Sequence, residues 1–440
     1  MARKAGETVW TPRSLAPPRN GDAQGRPSAI APAPSEDAAS ISGVPFNKLA
    51  LMGNEMAYVS EAIRNGHCSG DGPFTRRCQD LLERELGVPS VLLTTSCTHA
   101  LEMSALLLDI QPGDEIIVPS FTFVSTVNAF VLRGARPVFA DIRRDTLNLD
   151  ETKIAALVTP RTRAIVVVHY AGVGCEMDTI LPIARHHGIP VIEDNAHGLS
   201  GAYQGRPLGS LGALATVSFH ETKNYSCGEG GALLINDPQY LSRAEIIREK
   251  GTDRSRFFRK QVDKYTWVDL GSSYLMSDMS AAFLLGQLEK LREVRNIRRR
   301  IWTNYRDRLS DWACASGIGL PHVPEACAQS YHMFYLIMPS LAQRQAFIEH
   351  MRLAGISCPF HYVPLHSSPM GRRHGLQEAS CPVTDDVSDR LVRLPIFTGL
   401  HEADQSRVAA TAMNFRAVDS LRRPAFWRPP QLGNHVRKVP

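Results

Sequence analysis

Short apolar runs alternate with segments of helix-like spacing between about residues 76 and 290. The helix-like segments include 98–108, after the first run, and 177–187, before the fifth. Continuous apolar runs separated by amphipathic segments are typical of βαβ units, in which helices cover both faces of a mostly parallel sheet. The pattern therefore predicts an α/β fold with buried strands at 90–94, 115–118, 137–141, 164–169, 190–193, 215–219 and 232–235.

The pattern changes after Gly271. A long helical segment at 279–308 is followed by strand-like 334–337, helical 341–354 and extended 356–363. A helix followed by a small mixed sheet predicts a second, smaller α+β domain. The predicted divisions are a disordered Pro-rich extension at 1–43, a large domain at 44–294, a small domain at 295–420 and a basic Pro-rich tail at 421–440.

Composition narrows the function classes. The 440 residues are 43% hydrophobic and 21% charged, which excludes disordered, collagen-like and membrane-embedded chains. The net charge is +5, but the tail at 421–440 holds five Lys or Arg residues and no acid, so the tail accounts for that charge. The rest of the chain is near neutral, so the sequence predicts neither a nucleic-acid partner nor a membrane partner.

Nine cysteines are scattered along the chain without a C-x-x-C pair. This spacing predicts neither a disulfide framework nor a zinc cluster. The first 42 residues also lack the continuous apolar segment of a secretory signal. A reducing, cytoplasmic location is therefore expected.

A lysine follows the predicted strand at 215–219. Lys223 lies in a polar loop that the glycine-rich segment 228–231 closes before the next strand. A lysine at a strand end can form a Schiff base with a carbonyl if its surroundings lower its pKa. The alternative is an ordinary surface lysine beside a glycine-rich hairpin.

Two adjacent carboxylates end the strand at 190–193. Because side chains alternate along a strand, Glu193 and Asp194 face opposite sides, and at most one of them faces a given ligand. An acid at this position can bind a metal, a ribose or a protonated ring nitrogen. It can also simply cap the helix that follows.

Small polar residues lead from the first strand into a helix at 94–100. Free backbone N–H groups and the helix dipole at such a turn favour a phosphate. The segment lacks both the Walker lysine pattern and G-x-G-x-x-G, so it does not match a nucleotide-binding loop. Plain capping of the helix by Ser96 or Thr98 is the alternative.

Aromatic residues follow the second strand, at 119–123, where one ring could stack on a planar cofactor or pack in the core. The segment 359–366 adds His361 and His366, each of which alone fits a structural or solvated histidine. The combination is more specific than its members. A phosphate seat, a stacking ring, an acid for a ring nitrogen and a lysine, each at a strand end of one sheet, predict a pyridoxal 5'-phosphate site.

Four segments carry a resemblance to a known family: 65–72, 96–103, 218–231 and 262–267. Through them the chain, from about 46 to 417, resembles the nucleotide-sugar aminotransferases among the fold-type I pyridoxal-phosphate enzymes. The resemblance implies a large domain with a mostly parallel sheet and a smaller C-terminal domain. It also implies transamination of a dTDP-4-keto-6-deoxy-hexose by L-glutamate, giving a 4-amino-4,6-dideoxy-galactose product.

The resemblance also implies roles for individual residues. Lys223 is expected to form the Schiff base, and Asp194 to pair with the pyridine nitrogen. Phe123 is expected to stack on the ring. The expected phosphate contacts are Ser218 and the backbone of Cys97 and Thr98.

Two positions depart from the family pattern. His197 replaces the usual glutamine beside the phenolic side of the ring, where a protonated imidazole would add a charge. Ser273 replaces an asparagine that relatives contribute from a second subunit, so a shorter phosphate contact is expected from it. Because family active sites lie between two subunits, the resemblance implies a homodimer with shared active sites.

Three side chains are candidates for binding the diphosphate of the substrate: Arg76, His361 and His366. Three other functions stay open at this point. One is amination at the 3-position of the sugar, and another is a non-catalytic regulator on the same fold. The third is a pyridoxamine-dependent sugar dehydratase, against which Lys223 argues because such enzymes carry histidine at that position.

Overall fold

The computed structural model describes residues 43–376 and 378–416. The predicted extension, apart from Gly43, and the predicted basic tail lie outside the described residues. The strands are β1 (Ser90–Thr94), β2 (Glu115–Pro119), β3 (Arg136–Ala140), β4 (Thr162–Val168), β5 (Val191–Asp194), β6 (Ala202–Tyr203), β7 (Arg206–Pro207), β8 (Leu214–Ser218), β9 (Gly231–Ile235), β10 (Cys327–Ala328), β11 (Phe334–Ile337) and β12 (Leu391–Leu394).

Seven of these strands form one sheet in the order β1-β9-β8-β5-β4-β2-β3. Neighbouring strands run parallel except at β9, which is antiparallel to both β1 and β8. All seven predicted strands are present, each within two residues of its predicted bounds. Their continuous apolar runs arise because helices cover both faces of the sheet.

The α-helices are α1 (Glu55–Arg64), α2 (Pro73–Leu86), α3 (Cys97–Leu107), α4 (Val124–Val131), α5 (Glu151–Leu157), α6 (Met177–His186), α7 (Leu241–Arg248), α8 (Arg254–Phe258), α9 (Asp278–Leu288), α10 (Leu291–Ala315), α11 (Leu341–Leu353), α12 (Pro369–Arg373), α13 (Pro382–Arg390) and α14 (Glu402–Met413).

Successive residues of a strand pack on opposite faces of the sheet. In β2, Ile116 and Val118 pack with α3 and α4, whereas Ile117 packs with α6.

The prediction of one helix at 279–308 is wrong. Two helices occupy this segment, and the backbone leaves helical geometry at Lys290, where φ is −107° and ψ is 17°. α9 is buried in the core beneath β1, β8 and β9, whereas α10 starts in that core and ends in another. Both helices keep helical spacing, so the periodicity of the sequence does not reveal the break between them.

The second core belongs to the C-terminal part of the chain. Antiparallel β11 and β12 pack there with α10, α11 and α14, around large side chains that include Tyr305, Phe334 and Phe347. Val44, from the start of the described chain, joins the same core. The domain boundary at 294/295 stays a prediction, since α10 runs through it.

The fold brings several chain segments to one edge of the sheet. Parallel β2 and β5, together with β8, end at this edge, and α3 and α4 start there. Ligands of such sheets bind beyond the carboxyl ends of the strands. No described helix has both the length and the apolar character needed to cross a bilayer.

Candidate active site

A cavity of about 430 Å³ opens at this edge of the sheet. Eight of the eleven residues predicted from the sequence line it: Cys97, Thr98, Phe123, Asp194, His197, Ser218, Lys223 and His361. They come from four separate strand ends and from the C-terminal part of the chain, so the folding topology assembles the site.

Lys223 lies half-buried in the loop after β8. Its backbone N–H donates to the carbonyl of His220 at 2.9 Å, which holds the loop in a tight turn. Burial lowers the pKa of the Lys223 amine, while Cys97 and Asp194 act in the opposite direction. A lowered pKa increases the fraction of neutral amine, the form that attacks a carbonyl.

The two carboxylates at the end of β5 do face opposite sides. Glu193 is buried in the core, where His169 Nε2 lies 2.8 Å from its Oε2 and three backbone N–H groups donate to it. Asp194 faces the cavity and accepts hydrogen bonds from Thr126 Oγ1 at 2.7 Å and the Ala196 N–H at 3.1 Å. Burial raises the pKa of Asp194, so the carboxylate there favours a cationic partner.

The N-terminus of α3 forms one wall of the cavity. Ser96 caps the helix by accepting from the His99 N–H at 3.1 Å, and the N–H groups of Cys97 and Thr98 belong to the first turn, which has no intrahelical acceptor. A Cβ on Gly231 would lie 2.3 Å from the Cys97 nitrogen, so β9 can approach this helix end only through a glycine. Such a helix end suits a phosphate.

His197 is buried and lies stacked on His332, with 4.3 Å between ring centroids. Its Nε2 lies 3.5 Å from the Tyr362 hydroxyl, and its Nδ1 has no hydrogen-bond partner among the described residues. Burial, with the nearby charges of Lys223 and Arg393, lowers the pKa of His197 well below its usual value. The imidazole is therefore neutral at pH 7 and adds no charge to the cavity.

Aromatic rings form the opposite wall. Phe123 precedes α4, and 56% of it is exposed, so its face is free for a planar ligand. His361 accepts or donates a hydrogen bond of 2.8 Å between Nδ1 and the Tyr170 hydroxyl, and its ring stacks on Tyr362 at 3.5 Å.

The three remaining predicted residues lie outside the cavity lining. Arg76 is exposed on α2 and donates to the carbonyl of Asp71 at 2.7 Å. His366 is buried, and its Nδ1 lies 2.7 Å from Ser120 Oγ. Ser273 is exposed on a different part of this chain. Their predicted contacts with substrate or phosphate therefore stay predictions, and for His366 its burial argues against the role.

Sequence reasoning missed four residues of the site: Thr126, His332, Tyr362 and Arg393. Arg393 could have been found from the sequence, because it is a cation within the apolar run of β12. The sequence around Thr126 and His332 gives no such indication, since only the folded chain brings them to Asp194 and His197.

These residues fit pyridoxal phosphate. The cavity holds an amine with lowered pKa, a buried acid kept in place by two donors, and a capped helix N-terminus beside the Ser218 hydroxyl. The unpartnered Nδ1 of His197 adds a polar atom for the ring substituents. Among the described residues, no group of acidic, cysteine or histidine side chains is arranged to hold a metal.

Comparison with known proteins identifies the family. Residues 50–413 match the model of the DegT/DnrJ/EryC1/StrS aminotransferase family. The chain belongs to this family. It is therefore a pyridoxal-phosphate-dependent aminotransferase with the α/β fold of the fold-type I enzymes, as the sequence predicted.

Individual relatives agree with this assignment. The uncharacterized protein MJ1066 of Methanocaldococcus jannaschii is 32% identical over 76% of this chain and 87% of its own length. The aminotransferase TlmJ of Streptoalloteichus hindustanus is 30% identical, with a TM-score of 0.76 over 84% of this chain and 97% of that chain. The protein Spr1654 of Streptococcus pneumoniae, in its PMP form, is 25% identical, with a TM-score of 0.78 over 84% of this chain and 98% of that chain.

Proposed function

We propose that this aminotransferase moves the amino group of L-glutamate to a dTDP-4-keto-6-deoxy-hexose. The products are dTDP-4-amino-4,6-dideoxy-galactose, a precursor suited to surface polysaccharide, and 2-oxoglutarate. The observation that carries the amino transfer is the meeting of Lys223, Asp194 and the α3 N-terminus in one cavity. The choice of sugar rests on the resemblance at 65–72 and 262–267.

The cofactor, when bound, supplies a protonated ring that withdraws electrons from the reacting carbon. The chain's own residues prepare that ring. The Asp194 carboxylate holds a proton on the pyridine nitrogen, because a buried negative charge favours the cationic form. The helix N-terminus at Cys97 and Thr98 and the Ser218 hydroxyl bind the phosphate, and Phe123 covers one ring face.

Lys223 has two tasks in sequence. Its Nζ would tether the cofactor until an amino donor binds. As a free amine, Nζ would take the proton from the amino-bearing carbon of the donor as general base and return it as general acid, and it would act in the opposite order for the keto sugar. Its lowered pKa increases the fraction of neutral amine that can act as this base.

A homodimer with shared active sites is part of the proposal. Large apolar side chains are exposed near the segment 262–267, among them Phe258, Tyr265 and Trp267, of which 66%, 51% and 75% are exposed. Exposed apolar patches of this kind mark interaction surfaces. The proposed dimer would bring Ser273 of one subunit to the phosphate of the other. The nine cysteines are free thiols, which supports a cytoplasmic enzyme.

The decisive experiment incubates the enzyme with L-glutamate and dTDP-4-keto-6-deoxyglucose and identifies the product by mass spectrometry and NMR. A 4-amino sugar with equimolar 2-oxoglutarate supports the proposal, and Lys223→Ala is expected to give neither product. Turnover of the 3-keto isomer, dTDP-3-keto-6-deoxyglucose, to a 3-amino sugar, with no amination of the 4-keto sugar, would instead establish the runner-up, which is amination at the neighbouring carbon. Loss of water from the sugar without amino transfer, or no turnover, would refute the proposal.

A further inference from the structure

Arg298, on α10, is a buried arginine whose partners are two backbone carbonyls. Only 2% of the residue is exposed. Within the described part of the chain its side chain has no ion pair; its Nε donates to the carbonyl of Tyr331 at 3.0 Å, and its Nη2 donates to the carbonyl of His332 at 2.6 Å. Burial lowers the pKa of Arg298 to about 10, so the group is still charged at pH 7. Because a buried charge is unfavourable unless it is hydrogen-bonded, the guanidinium and the two carbonyls hold one another in place.

The segment that carries these carbonyls, 329–332, needs contacts from outside to keep its conformation. It lies between β10 and β11, and Tyr331 has a φ of 57°, a left-handed conformation that a bulky residue rarely adopts. Such a conformation persists where the surrounding structure fixes it. Arg295, three residues before Arg298 on the same face of α10, adds a second hold. It lies over the Tyr331 ring, 5.6 Å from the centroid, and donates to the Gln329 carbonyl at 3.5 Å.

The same segment contacts three loops of the active site through Ser330. The Ser330 N–H donates to the carbonyl of Gly172 at 3.1 Å, and its hydroxyl donates to the carbonyl of His197 at 2.5 Å. Its own carbonyl accepts from the side-chain amide of Asn224, the residue after Lys223, at 2.9 Å. These three partners follow β4, β5 and β8, so the segment joins three strand ends of the sheet. A Cβ on Gly172 would lie 1.8 Å from Ser330 Oγ, so this approach requires a glycine.

We propose that Arg298 is a positioning residue for the cofactor cavity and acts through the segment 329–332. By holding the carbonyl of His332, it keeps that ring stacked on His197, with its Nδ1 3.0 Å from Asn224 Oδ1. The guanidinium does not itself line the cavity, so its effect on the site passes through this segment. The role depends on the pyridoxal-phosphate site and not on which sugar or amino donor the enzyme uses.

The first test follows local opening of the segment. Arg298→Met removes the donors with little change in side-chain volume, and hydrogen–deuterium exchange is measured by mass spectrometry on the cofactor-free and the cofactor-loaded protein. Exchange in peptides covering 329–332 and 219–227 should become about tenfold faster, because charged hydrogen bonds are lost and the segment opens more often.

Arg390→Met is the matched control for that test. Arg390 is also a helical arginine that donates to a backbone carbonyl, that of Met338 directly after β11, at 2.7 Å. It does not line the cavity and does not contact the segment 329–332. Its loss should lower the melting temperature but leave exchange in 329–332 and 219–227 unchanged.

A double-variant cycle then shows whether Arg298 acts through His332. The dissociation constant for pyridoxal 5'-phosphate is measured by absorbance titration of the cofactor-free protein. Arg298→Met should raise it about tenfold. In the double variant with His332→Gln, the rise should be at least about threefold smaller than the product of the two single effects, since coupled residues give non-additive changes. Arg298→Lys, which keeps a charged donor, should recover part of the affinity.

Unchanged exchange in 329–332 in Arg298→Met would overturn the proposal. Effects on cofactor affinity that simply multiply in the double variant would overturn it as well, because Arg298 would then act independently of His332. A lower melting temperature with unchanged cofactor affinity would show a structural role only. If Arg298→Met does not fold, Arg298→Lys decides by the same comparisons, with expected changes of about threefold. Neither measurement uses a sugar, so the outcome is independent of the proposed function.

Discussion

The imidazole rings of His197 and His332 stack with only 18° between their planes, and both rings are buried at the cavity. His332 Nδ1 lies 3.0 Å from Asn224 Oδ1, and the Asn224 amide donates to the carbonyl of Ser330 at 2.9 Å. Since the amide oxygen can only accept, Nδ1 of His332 carries the proton. The pair thus connects the residue next to Lys223 with the loop before β11.

This stack predicts a pH-dependent stability. Burial lowers the pKa of His197 and His332 well below 6.5, so below about pH 6.5 the unfolded chain binds protons that the folded chain does not. As the pH is lowered below about 6.5, the free energy of unfolding of the cofactor-free protein should therefore decrease by about 1.4 kcal/mol per pH unit for each such histidine. Urea unfolding at fixed protein concentration between pH 7.5 and 5 measures this.

The control for that series is a single substitution. His197→Gln should lower the slope below pH 6.5 by about one proton, whereas His322→Gln, at an exposed position, should leave the slope unchanged. Equal slopes in all three proteins would contradict the prediction.

The same substitution tests what His197 does in catalysis. Because the imidazole is neutral at pH 7, glutamine can replace it as a neutral hydrogen-bonding group. We expect His197→Gln to keep kcat at pH 7 within about tenfold, and His197→Leu, which lacks any donor or acceptor, to lose more. Steady-state kinetics of both variants measures these kcat values. Equal losses of kcat in the two variants would mean that packing rather than hydrogen bonding matters.

Thr126 positions Asp194, the acid that we propose pairs with the ring nitrogen. Thr126→Val removes the 2.7 Å hydrogen bond to Asp194 Oδ2, which further raises the pKa of that carboxyl and weakens its hold on the pyridine proton. A fall in kcat of about tenfold is expected, with loss of activity starting at higher pH on the acid side of the profile. Thr122→Val is the matched control, because within the described part of the chain the one hydrogen-bond partner of its hydroxyl is the Thr126 hydroxyl, at 2.8 Å. A larger effect of Thr122→Val would count against this chain of contacts.

A substitution at Gly231 would test the proposed phosphate-binding site at the start of α3. A methyl group there would collide with the backbone of Ser96 and Cys97, so Gly231→Ala should displace β9 from the start of α3. We expect weaker cofactor binding, measured by equilibrium dialysis, with the sheet retained by circular dichroism. Gly399→Ala, whose added methyl would lie 4.0 Å from the Ala50 methyl, should bind the cofactor normally. Unchanged binding in Gly231→Ala would refute the seat.

The sheet was predictable from sequence because its strands are buried on both faces, which makes each one a continuous apolar run bounded by polar loops. Lys223 and Asp194 were predictable because both follow such runs directly. His361 and His366 show the limit. They lie five residues apart in one segment, yet one lines the cavity and the other is buried against Ser120. That difference depends on how the loop packs on β2, which no local pattern encodes.

The end of β5 places two carboxylates with unrelated tasks on consecutive residues. Glu193 accepts hydrogen bonds from the loop at 209–212 and contacts His169, while Asp194 faces the cavity. Since side chains alternate along a strand, insertion or deletion of one residue within β5 would exchange their faces. Such a change would remove the carboxylate acceptor from the loop at 209–212 and the carboxylate from the cavity at the same time. This strand can therefore vary by substitution at its apolar positions but not in length.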